Sequence, residues 1–228
     1  MKINFLTIFP KYYEAFQSES IVARAIEKQL VEINVIDFRN YTTNKHNKVD
    51  DEIYGGGQGM LLMVEPIDRA LMALQEPSKV ILLTPQGQTF NQAIAQKLSA
   101  EKSLSFIAGR YEGFDERVRN LVDYELSIGD YVLTGGELAS MVIADAIIRL
   151  LPGVIKTNSH QNDSFQNNLL EYPQYTRPAI YKGMAVPAVL LNGHHAQIKQ
   201  WQQEQALIRT KKRRPDLFKR YQEVNKND

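Results

Sequence analysis

The strongest constraint on how this chain folds is an alternation repeated over residues 1–151: short apolar runs closed by polar or turn residues, separated by segments whose apolar side chains recur at helical spacing. The runs at residues 2–8, 33–38, 80–84, 104–108 and 124–128 have the length and apolar character of strands buried on both faces. Between them, Ile21, Val22, Ala25, Ile26 and Leu30 share one helical face, Phe90, Ile94 and Leu98 a second, and Phe114, Val118, Leu121 and Val122 a third. Thr89 followed by Gln92 reads as a capping box for the second of these helices. Strands that alternate with helices predict an α/β fold with a mainly parallel sheet.

A further apolar helix is expected over 137–151, after which Pro152-Gly153 stops regular structure. Residues 156–168 are polar, rich in Asn, Ser, Gln and His, and read as a linker. Beyond it comes a Pro-punctuated stretch, then a helix near 194–208 with Ile198, Trp201 and Ile208 available for packing, then a basic segment. The expected organisation is a first domain over 1–155, a linker over 156–168 and a small second domain over 169–228.

The 228 residues, 43% of them apolar, suffice for one substantial domain with a buried core and a smaller companion. No run of about 18 apolar residues is present, because Ser140, Asp145 and Arg149 interrupt the richest candidate, so no membrane partner is expected. The N-terminus alternates like a strand and lacks a cleavage site, so the chain reads as mature from Met1. With 0 cysteines and 4 histidines out of zinc-ligand spacing, neither a disulfide framework nor a thiolate metal site is available, which fits a reducing, cytoplasmic location. Charge is uneven: residues 201–228 carry 8 Lys/Arg against 4 Asp/Glu. That tail reads either as a solvated helix or as a surface for nucleic-acid phosphates.

Neither a phosphate-loop signature nor a dinucleotide G-x-G-x-x-G turn is present. Three glycine-bearing turns instead follow apolar runs: Thr84, Pro85, Gln86, Gly87; Gly109, Arg110, Tyr111, Glu112, Gly113; and the segment from Ile128 and Gly129 through Tyr131, Val132 and Leu133 to Gly135 and Gly136. In an open α/β sheet, the carboxyl ends of the strands are where ligands bind. Each turn alone also reads as an ordinary tight turn; together, with Tyr and Leu to flank a flat ring, they favour a purine-bearing ligand. A fourth cluster, Tyr54, Gly55, Gly56, Gly57 and Gly59, fits either a flexible loop or a backbone that must follow a bound surface. Its neighbours Lys45, His46, Lys48, Asp50 and Asp51 read as a hydrated loop rather than a metal site. Asp163 and Ser164 stand in the polar linker, where a carboxylate is either solvated or catalytic. Arg149 lies among Ile147, Ile148, Leu150 and Leu151, where an arginine either snorkels or has a partner.

Taken in order, the segments HNKVDDEIYGGGQGM, TPQG, GRYEGFDERV, IGDYVLTGGELA, DSF, LLEYPQYTRP, VPAVLLNGHHAQI and RTKKRRPDL resemble the motif series of the bacterial tRNA (guanine-N1)-methyltransferase family, the TrmD type. The resemblance runs over nearly the whole chain, and departs from the family pattern at Ile53, Asn168 and Lys211. It implies a SPOUT-type α/β fold, with a mainly parallel sheet, a deep trefoil knot and a small helical C-terminal domain that helps hold tRNA. It further implies methylation of guanine N1 at tRNA position 37, next to the anticodon and preceded by G, with S-adenosylmethionine as donor. The donor would lie against the three glycine turns, with Glu112 near its charged end. Asp163 would be the general base, and Arg149 would orient guanine and stabilise its O6. Ser164, Tyr54, Gly55, Gly56, Gly57, Arg209, Arg213 and Arg214 would contact substrate. Family members are homodimers whose active sites lie at the subunit interface, and are linked to magnesium, for which no ligand set is assignable here. A noncatalytic RNA-binding dimer and a SPOUT methyltransferase acting on ribosomal RNA or a ribose hydroxyl are the competing readings.

Overall fold

In the computed structural model, which describes residues 1–156 and 163–225, all five expected strands pair into one parallel sheet. They are β1 (Lys2–Thr7), β2 (Glu32–Asp37), β5 (Lys79–Thr89), β6 (Ser103–Ile107) and β7 (Tyr124–Ser127), in the order β2-β1-β6-β5-β7. Side chains on a strand alternate between faces, and the two faces feed separate clusters. Ile3, Phe5, Ile81, Leu83, Leu104 and Phe106 pack with residues of α2 (Ser20–Glu27), α4 (Gln92–Ser99) and α5 (Glu137–Ile148). Leu6, Ile8, Leu82 and Ile107 pack with Phe38, Val118 and residues of α3 (Val64–Met72). Phe5 joins the layers within its face, stacking on Phe106 at 5.6 Å and on Tyr13 at 4.4 Å between ring centroids.

Local details differ from the sequence reading in ways the hydrogen bonds explain. Thr89 is the last residue of β5, and Asn91 caps α4, its side-chain oxygen accepting from Ile94 N at 3.1 Å. The segment expected as a helix through Phe114–Val122 is a 3-10 helix over Glu116–Leu121, because Phe114 is drawn into a bridge with Leu62 and Asp115 caps the turn by accepting from Arg117 N. Helix α5 stops at Ile148 rather than 151: the amides of Leu150 and Leu151 reach back only three residues, to Ile147 and Ile148. Elements absent from the sequence reading include α1 (Glu14–Ser18), the hairpin β3 (Asp50–Glu52) and β4 (Met60–Leu62), and α3, which tolerates Pro66 because it stands in the first turn.

The chain divides into the units Met1–Lys156 and Thr157–Asp228. Part of the expected 156–168 linker, residues 157–162, lies outside the described residues. The second unit holds a short hairpin, β8 (Ile180–Tyr181) and β9 (Met184–Ala185), followed by α6 (His195–Arg213) and α7 (Pro215–Val224). Helix α6 runs five residues past the expected end at 208, and its packing face is offset: Ala206 and Thr210 are buried while Ile208 is 58% exposed.

Candidate functional site

The sheet's carboxyl edge is built by an interruption in β5. Leu83 and Gln88 both register with Leu126 of β7, so residues 84–87 are looped out of the ladder and the strand resumes after them. Thr84, Pro85 and Gln86 of that loop-out line a cavity of about 420 Å³. Gly109, Arg110, Tyr111, Glu112 and Gly113 after β6 form a second wall, and Ile128, Gly129, Tyr131, Val132, Leu133, Gly135 and Gly136 after β7 form a third. The three expected donor loops therefore meet in one cavity within the first unit. Gly87 does not line it, and lies instead against the backbone of β7.

Two of the walls touch backbone to backbone. Gly136 N donates to Gly109 O at 2.8 Å, and a Cβ on Gly136 would stand 2.9 Å from Ala108 Cα, so only glycine permits the approach. Arg110 crosses the same junction, its Nε donating to the buried Glu137 carboxylate at 2.9 Å and its Nη1 to Thr134 O at 3.1 Å. The rim also carries charge. Asp115 takes a two-point contact from Arg117, at 2.9 and 2.6 Å, and that guanidinium holds its carboxyl below the usual carboxylate range.

The fourth glycine cluster forms the tip of the β3–β4 hairpin, with Tyr54 fully exposed and Gly55, Gly56 and Gly57 in positive-φ conformations. This hairpin is tied to the second wall: Glu112 N donates to Met60 O at 3.1 Å, and Leu62 N donates to Gly113 O at 2.9 Å. Arg149 follows the last residue of α5, half-buried, outside the lining of the cavity. Asp163 belongs to the second unit, where it lines a separate cavity of about 860 Å³ with Glu171, Tyr172, His195 and Tyr221 among others. Ser164 Oγ accepts from Glu171 N at 3.0 Å, so this hydroxyl shapes the turn leading out of the linker. Arg209 donates to Glu171 O at 3.2 Å and Arg214 forks onto Asp216, whereas Arg213 is exposed.

Over residues 1–220 the chain matches the family model described as tRNA (Guanine-1)-methyltransferase TrmD. The chain belongs to this family. As a member of the tRNA (guanine-1)-methyltransferases it is an enzyme. It is 60% identical over 222 residues to the tRNA (guanine-N(1)-)-methyltransferase of Mycoplasmopsis agalactiae, covering 96% of this chain and 98% of that protein. The protein of the same name from Mycoplasmopsis pulmonis is 57% identical over 222 residues, covering 97% and 98%. That of Staphylococcus epidermidis is 55% identical over 225 residues, covering 97% and 92%. The methyltransferase family thus spans both units of this chain, the glycine-lined cavity and the basic helical unit alike.

The pairing of Arg110 with Glu137 is a feature the sequence reading missed. Its signal was there: an acidic residue opening a largely apolar helix directly after Gly135-Gly136. An unpaired carboxylate at that place would be costly to bury.

Proposed function

We propose that this enzyme transfers a methyl group from S-adenosylmethionine to N1 of guanine at position 37 of tRNA, next to the anticodon and preceded by G. The observation that carries this reading is the meeting of three glycine-bearing loops, at the carboxyl edge of a parallel sheet, around one cavity in a chain of this family. A volume of about 420 Å³ falls within the range of about 300–1,000 Å³ typical of small-molecule sites. The walls offer backbone polar groups beside the side chains of Tyr111, Tyr131 and Leu133, a combination suited to a flat adenine ring and a ribose. The close approach of Gly136 to Ala108 and of Gly135 to Arg110 brings the second and third walls together. When bound, the donor supplies a methyl group already activated by a positive sulfur.

The chain's own residues then have two tasks. Guanine N1 carries a proton at neutral pH and cannot attack until it is removed; Asp163 takes that proton as general base. Negative charge moves toward O6 as the proton leaves; Arg149 orients the base and stabilises that oxygen. Glu112 faces the charged end of the donor and Ser164 assists at the guanine. Among the described residues no three His, Asp or Glu side chains gather into a set that could hold an ion, and no ligands are assigned to magnesium here.

A homodimer is part of the same proposal, with Asp163 of one protomer serving the donor cavity of its partner. Helix α5 supports it: the helix is apolar nearly all round, and in the single chain it leaves Leu138 at 49% and Val142 at 52% exposure, which a partner would cover. The knotted chain path and the cytoplasmic location expected from the resemblance belong to this proposal too; no described helix is long and apolar enough to cross a membrane.

The deciding experiment incubates the enzyme with methyl-labelled S-adenosylmethionine and a tRNA transcript carrying G at positions 36 and 37, then maps the modified base. Label at N1 of G37, abolished when G36 is changed, is expected. Label elsewhere would remove the reading. Asp163→Asn should keep donor binding and lower turnover by orders of magnitude; undiminished turnover would remove the base assignment.

A further inference from the structure

Arg110 and Glu137 form an enclosed ion pair in the first unit, their side chains 14% and 1% exposed. Each is held from several sides. Glu137 Oε1 accepts from Thr7 Oγ1 at 2.9 Å, and that hydroxyl accepts in turn from Phe9 N at 2.9 Å. Glu137 Oε2 takes Arg110 Nε at 2.9 Å, and Arg110 Nη1 reaches Thr134 O at 3.1 Å. The guanidinium carbon lies 4.7 Å from the ring centre of Phe9 and 4.9 Å from that of Tyr12. Gly135 sits directly over the pair: a Cβ there would collide with Arg110 Nε and stand 2.6 Å from Glu137 Oε2. One continuous circuit therefore joins the end of β1, the start of α5, the loop after β6 and the loop after β7.

We infer that Arg110 and Glu137 are positioning residues that fix the spacing between the 109–113 and 129–136 loops and so set how tightly the methyl donor is held. The inference rests on the donor-site reading of the cavity. Glu137 does not line that cavity and acts through Arg110, which does. A buried ion pair is a weak source of stability compared with apolar packing, so its presence at the junction of two binding loops calls for another role. The planar fork of arginine supplies one: only a guanidinium satisfies the carboxylate and the Thr134 carbonyl together while lying flat beside two rings. The point charge of lysine cannot do all three, so the loops would keep their chain path and lose their fixed separation. A small misplacement of binding groups weakens the ligand they were spaced for, while groups outside the circuit keep their contacts.

The test uses the full chain, with S-adenosylhomocysteine as the binding probe in calorimetry, steady-state kinetics varying donor and tRNA separately, and melting curves. Arg110→Lys keeps the charge that compensates Glu137; Glu137→Gln removes the carboxylate but not the shape. Both are expected to weaken probe binding and raise the donor KM by about tenfold or more, with the tRNA KM and the melting temperature little changed. Should Glu137→Gln fail to fold, Arg110→Lys decides alone. Wild-type probe affinity in a folded variant overturns the inference, and so does a parallel loss of donor affinity, tRNA affinity and melting temperature, the signature of a merely structural pair. Absence of probe binding by the unmodified enzyme would instead remove the donor-site reading, and this inference with it.

Discussion

Gly87 lies so close to Glu125 that a Cβ on residue 87 would stand 2.5 Å from the Glu125 carbonyl carbon, and as near to Leu126 N. The contact is backbone on both sides and cannot be relieved by turning a side chain. It is what lets β5 rejoin β7 after the loop-out at 84–87. Gly87→Ala is therefore expected to cost about 1–3 kcal/mol through overpacking and to reshape the cavity wall that Thr84, Pro85 and Gln86 provide. Gly113→Ala, where open space surrounds the position, carries backbone strain at φ +119 but no collision. Urea titrations of the two variants, followed by S-adenosylhomocysteine binding, check this; a Gly87 variant as stable as wild type would contradict the account of the loop-out.

Helix α4 depends on Asn91, whose side-chain oxygen accepts from Ile94 N. Asn91→Ala should lower stability by about 1 kcal/mol, the usual value of such a cap. Thr89→Ala should not remove a cap, because Thr89 pairs in β5 with Ser127. Equal losses in the two variants, measured by equilibrium unfolding, would restore the capping box that the sequence suggested.

What the sequence disclosed and what it withheld follow from the range of the forces involved. All five sheet strands were legible because a parallel strand covered on both faces must be apolar along its length, as Ile3, Phe5 and Leu6 are. The loop-out within β5 and the loops after β6 and β7 were legible because their glycines directly follow apolar runs. The 3-10 helix at Glu116–Leu121 was misread because Phe114 has helical spacing yet pairs with Leu62, a contact distant in sequence. Helix α3 was hidden by Glu65, Pro66 and Asp68, although its inward positions Ile67 and Ala70 are fully buried. The Arg110–Glu137 pair spans 27 residues, and a separation of that size leaves no periodic trace.

The basic segment separates into cations with internal work and cations facing outward. Arg209 holds Glu171 O and Arg214 forks onto Asp216, while Lys212 and Arg213 are exposed. If the latter two contact tRNA phosphates, Lys212→Ala and Arg213→Ala should each weaken tRNA binding at low salt and reduce the slope of log affinity against log salt by about 0.7–1. Filter-binding titrations across a salt series read this directly. An unchanged slope in the double variant would move the RNA contact elsewhere on the chain.

Leu138 and Val142 stand one turn apart on the exposed side of α5. In a dimer that covers them, Leu138→Glu or Val142→Glu would place a charge in a closed apolar interface. Dissociation to folded monomers with lost methyl transfer is expected, read by sedimentation and circular dichroism together. A variant that stays dimeric and active would show that α5 is not the interface.

Tyr13 is fully buried, and the loss of hydration on burial pushes its phenol above the ordinary tyrosine value, with the Glu137 charge adding to the effect. Because Ser140 Oγ gives its proton to Glu137 O at 2.7 Å, the Tyr13 hydroxyl must be the donor in its 2.8 Å bond to Ser140, a bond that requires the neutral phenol. Below about pH 10 folded and unfolded chains both keep this proton and the contribution is complete. As pH rises past that value the unfolded chain releases its proton while the folded one retains it, so stability falls. Tyr13→Phe should cost about 1 kcal/mol at neutral pH through the lost hydrogen bond. The variant's stability should then fall less steeply under alkaline conditions, so that the gap to wild type narrows. Urea unfolding of both proteins near neutral pH and above about pH 10 measures the gap; a constant difference would mean that Tyr13 does not titrate with unfolding.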